Sequence, residues 1–109
     1  MGTVTGIVSP KFSIGELVHH RRFNYRGVIV DVDPRFQATP EWYEAVALSR
    51  PPKNKPWYHV LVHGSDHSTY VAELNLEPDD ILEPINHPMV EHFFTGFDHG
   101  RYVRVDRDN

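Results

Sequence analysis

Cysteine is absent from the 109 residues. That excludes disulfides, thiolate zinc sites and thiol nucleophiles, and it fits a reducing cytoplasm. Long apolar runs are missing as well. The longest, residues 45–48, has four residues, whereas a membrane-spanning helix needs about 20, so no membrane partner is expected. The opening MGTVTGIVSPKF lacks the charged lead and long apolar stretch of a secretory signal. Positive charge is also short: 11 Lys and Arg stand against 15 Asp and Glu, a net of −4 with histidines neutral. Affinity for nucleic acid of any sequence comes from neutralising phosphates, so this balance argues against a general polyanion binder. Catalytic signatures are lacking too. The chain has no Gly-rich phosphate loop, no nucleophile elbow and no HExxH pair. We therefore expect a non-enzyme, with no catalytic residues, no cofactor and no metal.

What is present is unevenly spread. Residues 11–35 carry five cations (Lys11, Arg21, Arg22, Arg26, Arg35) against three acids, with His19 and His20 among them. Residues 66–98 carry eight acids and neither Lys nor Arg. An anionic partner is thus expected at the N-terminal hairpin, with Lys53 and Lys55 in support. The candidate binding residues are His19, His20, Arg21, Arg22, Tyr25, Arg26, Lys53 and Lys55. Arginine can meet phosphates or guanine edges, and Tyr25 or Phe23 can add apolar contact. The bland reading of the same cluster is a solvated turn that keeps the chain soluble.

Hydrophobic alternation marks the strands. A short one is expected at Ile14–Val18, and Asn24 is a turn signal before the clearest one, Tyr25–Asp33. There Val28, Val30 and Val32 should share one face, with Gly27, Ile29, Asp31 and Asp33 on the other. Gly27 implies a sharp bend. Thr39-Pro40 opens a helix expected to reach Ser49, with Trp42 pinning it to the sheet. The stretch 50–56 holds three prolines and reads as a loop. Trp57–His63 and Ser68–Glu73 form a hairpin, residues 74–85 read as irregular, Met89–Phe94 as a helical turn, and Tyr102–Val105 as a last strand. Trp57, His59 and Leu61 face away from Tyr58, Val60 and Val62. A strand apolar on both faces needs a second cover, either the helix of Trp42 or another subunit. Length allows one core. The expected layout is a tail over 1–10, one domain over 11–105 and a tail over 106–109. The fold class is mainly β: a small SH3-like five-stranded β-barrel with one inserted helix near 40–49 and a short C-terminal helical turn.

Eight histidines raise a metal hypothesis, but His63 and His67 flank a hairpin rather than share a helical face, and His59 reads as a packed or cross-strand hydrogen-bonded strand residue. Asp31 and Asp33 on one strand face resemble an acid/base pair, yet nothing catalytic accompanies them. Strand capping and pairing with Arg26 or Arg35 is the simpler role.

Three segments in order, FSIGELVHHRRFNYRGVIVDVDP (12–34), PWYHVLV (56–62) and STYVAELNLE (68–77), resemble the YccV-like family, the hemimethylated-DNA-binding family that includes the heat-shock protein HspQ. A following INHPMVEHFF (85–94) is similar to the His-Pro and aromatic pair after this domain in an F-box-only protein. The resemblance implies a small β-barrel, self-association (a trimer among the options), binding of hemimethylated DNA, and service in protein quality control beside a Lon-type protease or its clients. The sequence departs from the enterobacterial pattern after residue 77. The leading expectation is an HspQ-like, non-enzymatic quality-control binding module in the cytoplasm. The alternative is a DNA-binding protein acting through the Arg21–Arg26 hairpin, and the remote alternative is a histidine-based metal protein or hydrolase.

Overall fold

The computed structural model describes residues 9–104; most of the two expected tails, and Val105 at the end of the expected last strand, lie outside that range. Five strands form one antiparallel sheet: β1 Leu17–His20, β2 Arg26–Asp33, β3 Trp57–Val62, β4 Ser68–Ala72 and β5 Leu76–Pro78, in the order β4-β3-β2-β1-β5. A separate hairpin joins β6 Gly96–Asp98 to β7 Arg101–Val103, and two short helices, α1 Pro40–Val46 and α2 Val90–Phe93, complete the elements. The mainly β class and a five-stranded sheet follow the expectation, while the β6–β7 hairpin brings the described strands to seven rather than five. The membership of the sheet does not follow it. Its fifth strand is Leu76–Pro78, read from sequence as irregular, while the expected last strand lies in the separate β6–β7 hairpin. Three residues ending in proline give no periodic signal, and proline is tolerated there because β5 is an edge.

No ladder joins the edges β4 and β5, so the expected closed barrel is an open sheet among the described residues. It is nevertheless strongly curled. A single 3₁₀ turn, Glu73–Asn75, is all that separates β4 from β5, and three residues of 3₁₀ helix advance only about 6 Å. The two edges are therefore held close together across a seam.

Inside the curl, Val18, Ile29, Tyr58, Val60, Val71 and Leu76 pack with Phe12. The outer face has two covers. Over one end, Tyr43 and Ala47 of the α1 segment bury Trp57 and Ala72. Over the other, Ile85, Phe94 and Tyr102 bury Leu17, Val28 and Leu61. The expected helix cover is thus correct but is only half of the outer layer. Tyr43, not Trp42, is its buried residue. The helix starts as expected, with Thr39 accepting from the Trp42 N–H and Pro40 in the first turn, but it ends at Val46 rather than Ser49. Arg50 then takes a left-handed conformation (φ 52) that helical continuation forbids.

The alternation in β2 is broken by a bulge between Ile29 and Asp31. Val28 pairs with Leu61 on the outer face, Ile29 with Val60 inside, and the inserted Val30 packs outside again. Val32 therefore joins the inner core with Ile29, whereas the sequence placed it with Val28 and Val30. The first strand also begins three residues late, because Gly15 (φ 94) turns the chain there and donates its N–H to the Ile29 carbonyl. Asn24 (φ 56) makes the expected turn between β1 and β2.

Gly27 acts through close approach rather than a bend. A Cβ at this position would lie 2.4 Å from a Val60 methyl and 2.6 Å from the Leu61 carbonyl oxygen. Backbone cannot yield as a flexible side chain can. We expect Gly27→Ala to cost about 3 kcal/mol, read as a lowered midpoint in urea unfolding with an unchanged slope; an unchanged midpoint would show the strands can part at no cost.

Candidate functional site

The turn between β1 and β2 carries most of the sequence-proposed binding residues, and the structure sorts them into two groups. His20 is buried, and its Nδ1 accepts the backbone N–H groups of Arg22 (3.1 Å) and Phe23 (3.0 Å). Its ring stacks on Phe23 and lies against Tyr25. His19 bonds Glu77 through Nδ1 at 2.8 Å and Asn24 through Nε2 at 2.6 Å. The Tyr25 hydroxyl is bonded to Thr69 across the seam at 2.7 Å. Arg26 Nε donates to the buried Asp79 at 3.0 Å, with side-chain exposures of only 13% and 3%, and its guanidinium also reaches the Glu83 carbonyl. These four residues build the hairpin and are committed internally. Removing Arg26 would strand a buried carboxylate, so it is a structural cation.

Arg21 and Arg22 form the other group. Arg21 is more than half exposed and only 4.0 Å from Glu77 at its nearest, a separation of little energetic weight in solvent. Arg22 is exposed and has no ion pair among the described residues. Phe23 beside them is 68% exposed. Lys53 and Lys55 are not gathered with this tip. Lys53 sits over the Tyr43 ring at 4.3 Å on the proline loop, and Lys55 is exposed on the same loop.

The histidines do not converge as a metal site. His63 accepts the Asn86 N–H, and the buried His87 accepts from Met89 N–H while its Nε2 faces the His67 carbonyl, tying the C-terminal cover to the β3–β4 turn. His59 instead joins the two aspartates of β2. Ligand atoms of Asp31, Asp33 and His59 all lie within 4.8 Å of one another, the one such grouping among the described residues. Two carboxylates and an imidazole suit a divalent first-row ion. Asp33 is already engaged, however, accepting from the Tyr70 hydroxyl at 2.7 Å and facing His59 Nε2 at 3.3 Å. Burial, then that bond to Asp33, pushes the Tyr70 hydroxyl pKa up, so Tyr70 stays a donor. The sequence offered Asp31 and Asp33 as a pair and His59 as a packed or cross-strand hydrogen-bonded residue; its bond to Asp33 is that cross-strand contact, and only the β2–β3 register sets it opposite Asp31.

A second feature had no sequence signal. A groove of about 380 Å³ runs along β4, walled by Val46, Ala47 and Leu48 on one side and by His20, Arg22 and Phe23 on the other. It requires the curl of the sheet to bring residues 20–23 against residues 68–75.

The profile of one protein family, described as hemimethylated DNA-binding protein YccV like, matches residues 10–101. The match spans all five strands of the sheet, both helices and the start of β7.

The two hairpin histidines titrate in opposite directions. Burial, reinforced by the charges of His19 and Arg22, lowers the His20 pKa below 6.5. Hydrogen bonds to Asn24 and Glu77 raise that of His19 above 6.5. His20 therefore stabilises the tip fully above 6.5 and loses that contribution as pH falls through its lowered value. His19 contributes fully below 6.5 and loses it as pH rises through its raised value. Protonated His20 can no longer accept from Arg22 and Phe23. We expect the amide protection factors of Arg22 and Phe23 to fall as pH drops from about 7 to about 5. In His20→Phe they should be low and flat with pH; protection unchanged by pH or by the substitution would remove His20 as the tip's anchor.

Proposed function

Because the chain belongs to the YccV-like family, we propose that it is a non-catalytic binding module for hemimethylated DNA, contacting the duplex through Arg21, Arg22 and Phe23 at the β1–β2 tip. The observation that carries this reading is the division of the hairpin's charges. Arg26 and His19 are spent on Asp79 and Glu77, whereas Arg22 is held outward, without an ion pair among the described residues, on a tip braced by His20. Two exposed arginines on a braced turn, Arg21 only loosely paired with Glu77, can position on phosphates or reach base edges, with Phe23 supplying apolar contact. The curled sheet, closed by a 3₁₀ link between its edges, is read as an SH3-like roll that presents this tip. Lys53 and Lys55, placed on another loop, are auxiliary at most to this contact.

So few free cations make for weak binding with a shallow salt dependence, since the logarithm of the affinity changes by about 0.9 per phosphate neutralised for each decade of salt. We expect Arg21→Ala with Arg22→Ala to weaken binding about tenfold and to reduce the salt slope by about 2, measured by fluorescence anisotropy on a duplex methylated on one strand. The same duplex methylated on both strands or on neither serves as the control for preference. Equal binding by the double variant would eliminate the tip as the contact. Arg26 is left intact so that loss of binding is not loss of fold.

A second reading is favoured by the groove along β4. In it the chain is an HspQ-like quality-control partner in the cytoplasm, acting as a homo-oligomer beside a Lon-type protease or its clients. Degradation of a model substrate by purified Lon should then accelerate with added protein. No change in rate across stoichiometric ratios would end this reading.

A further inference from the structure

β4 is an edge strand whose outer side has no ladder partner. Val62 N–H donates to the His67 carbonyl and Glu73 N–H to the Pro56 carbonyl, both at 3.1 Å. In an antiparallel pair, residues alternate between facing the partner strand and facing away. With the register Leu61 to Ser68 and Trp57 to Ala72, residues 67, 69, 71 and 73 therefore face β3. Ser68, Tyr70 and Ala72 turn their N–H and C=O groups the other way, into the seam. Ala72 lies under Tyr43 and Ala47, which closes that end. Ser68 and Tyr70 look into the open groove, and no hydrogen-bond partner is present for their backbone groups among the described residues. An unpaired edge is a template for another strand, and proteins ordinarily blunt it with charge, proline or a bulge. Here Ser-Thr-Tyr-Val-Ala carries none of these.

The walls state what would fill the seam. Val46 and Leu48 are 54% and 74% exposed beside it, and Phe23 stands exposed opposite. Arg22 is the sole Lys, Arg, Asp or Glu among the lining residues. The groove thus sets apolar side chains among the polar Ser49, Ser68, Thr69 and Asn75 and carries one fixed cation, Arg22. A duplex is far too wide to enter it. A second copy's β4, Ser68–Ala72, carries no carboxylate to meet Arg22. We infer that the β4 groove binds an extended segment of another polypeptide, paired as an added strand on Ser68 and Tyr70, with alternate apolar side chains against Val46 and Leu48 and a carboxylate at Arg22. This mode draws affinity from main-chain hydrogen bonds and specificity from alternate side chains. It deepens and rests on the second reading above, giving the chemistry of the polypeptide partner, and it shares Arg22 and Phe23 with the proposed DNA contact, so the two partners would compete for the tip.

The probe is a capped synthetic peptide of alternating valine and threonine with aspartate at one end. Its comparators are the same peptide N-methylated along the ladder-forming edge and the same peptide with lysine for aspartate. Both comparators should bind about tenfold more weakly by fluorescence anisotropy, and the parent should protect the Ser68 and Tyr70 amides from hydrogen exchange. Ser68→Pro removes one outward donor from an edge strand, where proline is tolerated, and should weaken the parent peptide about tenfold with the melting temperature retained. Arg22→Glu should invert the preference between aspartate and lysine peptides. Val46→Asp with Leu48→Asp, on exposed positions, should abolish binding. Equal binding of all three peptides, or indifference to Ser68→Pro, overturns the inference. So does concentration-dependent protection of the same amides in the protein alone, which would assign the seam to a second copy, or their protection by hemimethylated duplex. Peptide binding without any effect on Lon would leave the groove standing and end the protease reading. Acceleration of Lon that survives Val46→Asp with Leu48→Asp would do the reverse.

Discussion

The structure depends on burying both faces of β3. Tyr58 and Val60 fill the inside of the curl while Trp57 and Leu61 must be covered from outside. A single β-sheet supplies only the inner partner for such a strand. The chain supplies the outer one twice, with the α1 segment over Trp57 and the 85–104 segment over Leu61. Much of what lies outside the sheet follows from that requirement. The α1 segment needs the proline loop to return its chain to β3, with the Trp57 ring N–H donating to the Pro52 carbonyl at 3.1 Å and the Tyr43 hydroxyl to Pro51 at 2.7 Å. The C-terminal cover needs Tyr102, whose N–H donates to Gly15 and whose hydroxyl accepts from Ile85.

The two covers meet β3 at its ends and leave His59 between them. That gap is where Asp31, Asp33 and Tyr70 gather, polar groups that the covers would otherwise have to bury. The curl has its own consequence at the seam. Tyr25 bonds Thr69 across it, Arg21 N–H donates to the Asn75 carbonyl, and Tyr58 donates to Glu73, which also accepts from the Lys11 N–H. Of these bonds only Tyr25–Thr69 reaches from the β1–β2 hairpin to β4; the Arg21–Asn75 bond extends the β1–β5 ladder and the Glu73 bonds hold the turn that follows β4. The outward groups of β4 remain available in the groove because this side-chain bond, rather than strand pairing, joins the two sides.

Charge in this chain is governed by the same geometry. A net of −4 tells little about what a partner meets, because Arg26 is cancelled inside the fold by Asp79 and Arg50 on the surface by Glu44 at 2.8 Å. The surface near the hairpin is therefore less basic than residues 11–35 suggest, and its free charge is concentrated at Arg21 and Arg22. The candidate residues at positions 19, 20, 25 and 26 make that concentration possible by holding the tip rather than by reaching a partner.

Local chemistry was legible in the sequence. Asn24 at the turn, Thr39-Pro40 at the helix start, the hairpin of β3 and β4, and the need for a cover over Trp57 all follow from neighbours within a few residues, where steric and capping rules act. The bulge that sends Val32 inward was not legible, because an extra residue in β2 is visible only against the register of β3. Nor was the strand Leu76–Pro78, too short for any period. The sequence by itself thus determined most of the elements and the two apolar faces of β3. Only the tertiary structure decided which cations are free and where the open edge lies. Arg26 and Arg22 look alike in the chain, and they differ because a carboxylate 53 residues away is buried against one of them and not the other.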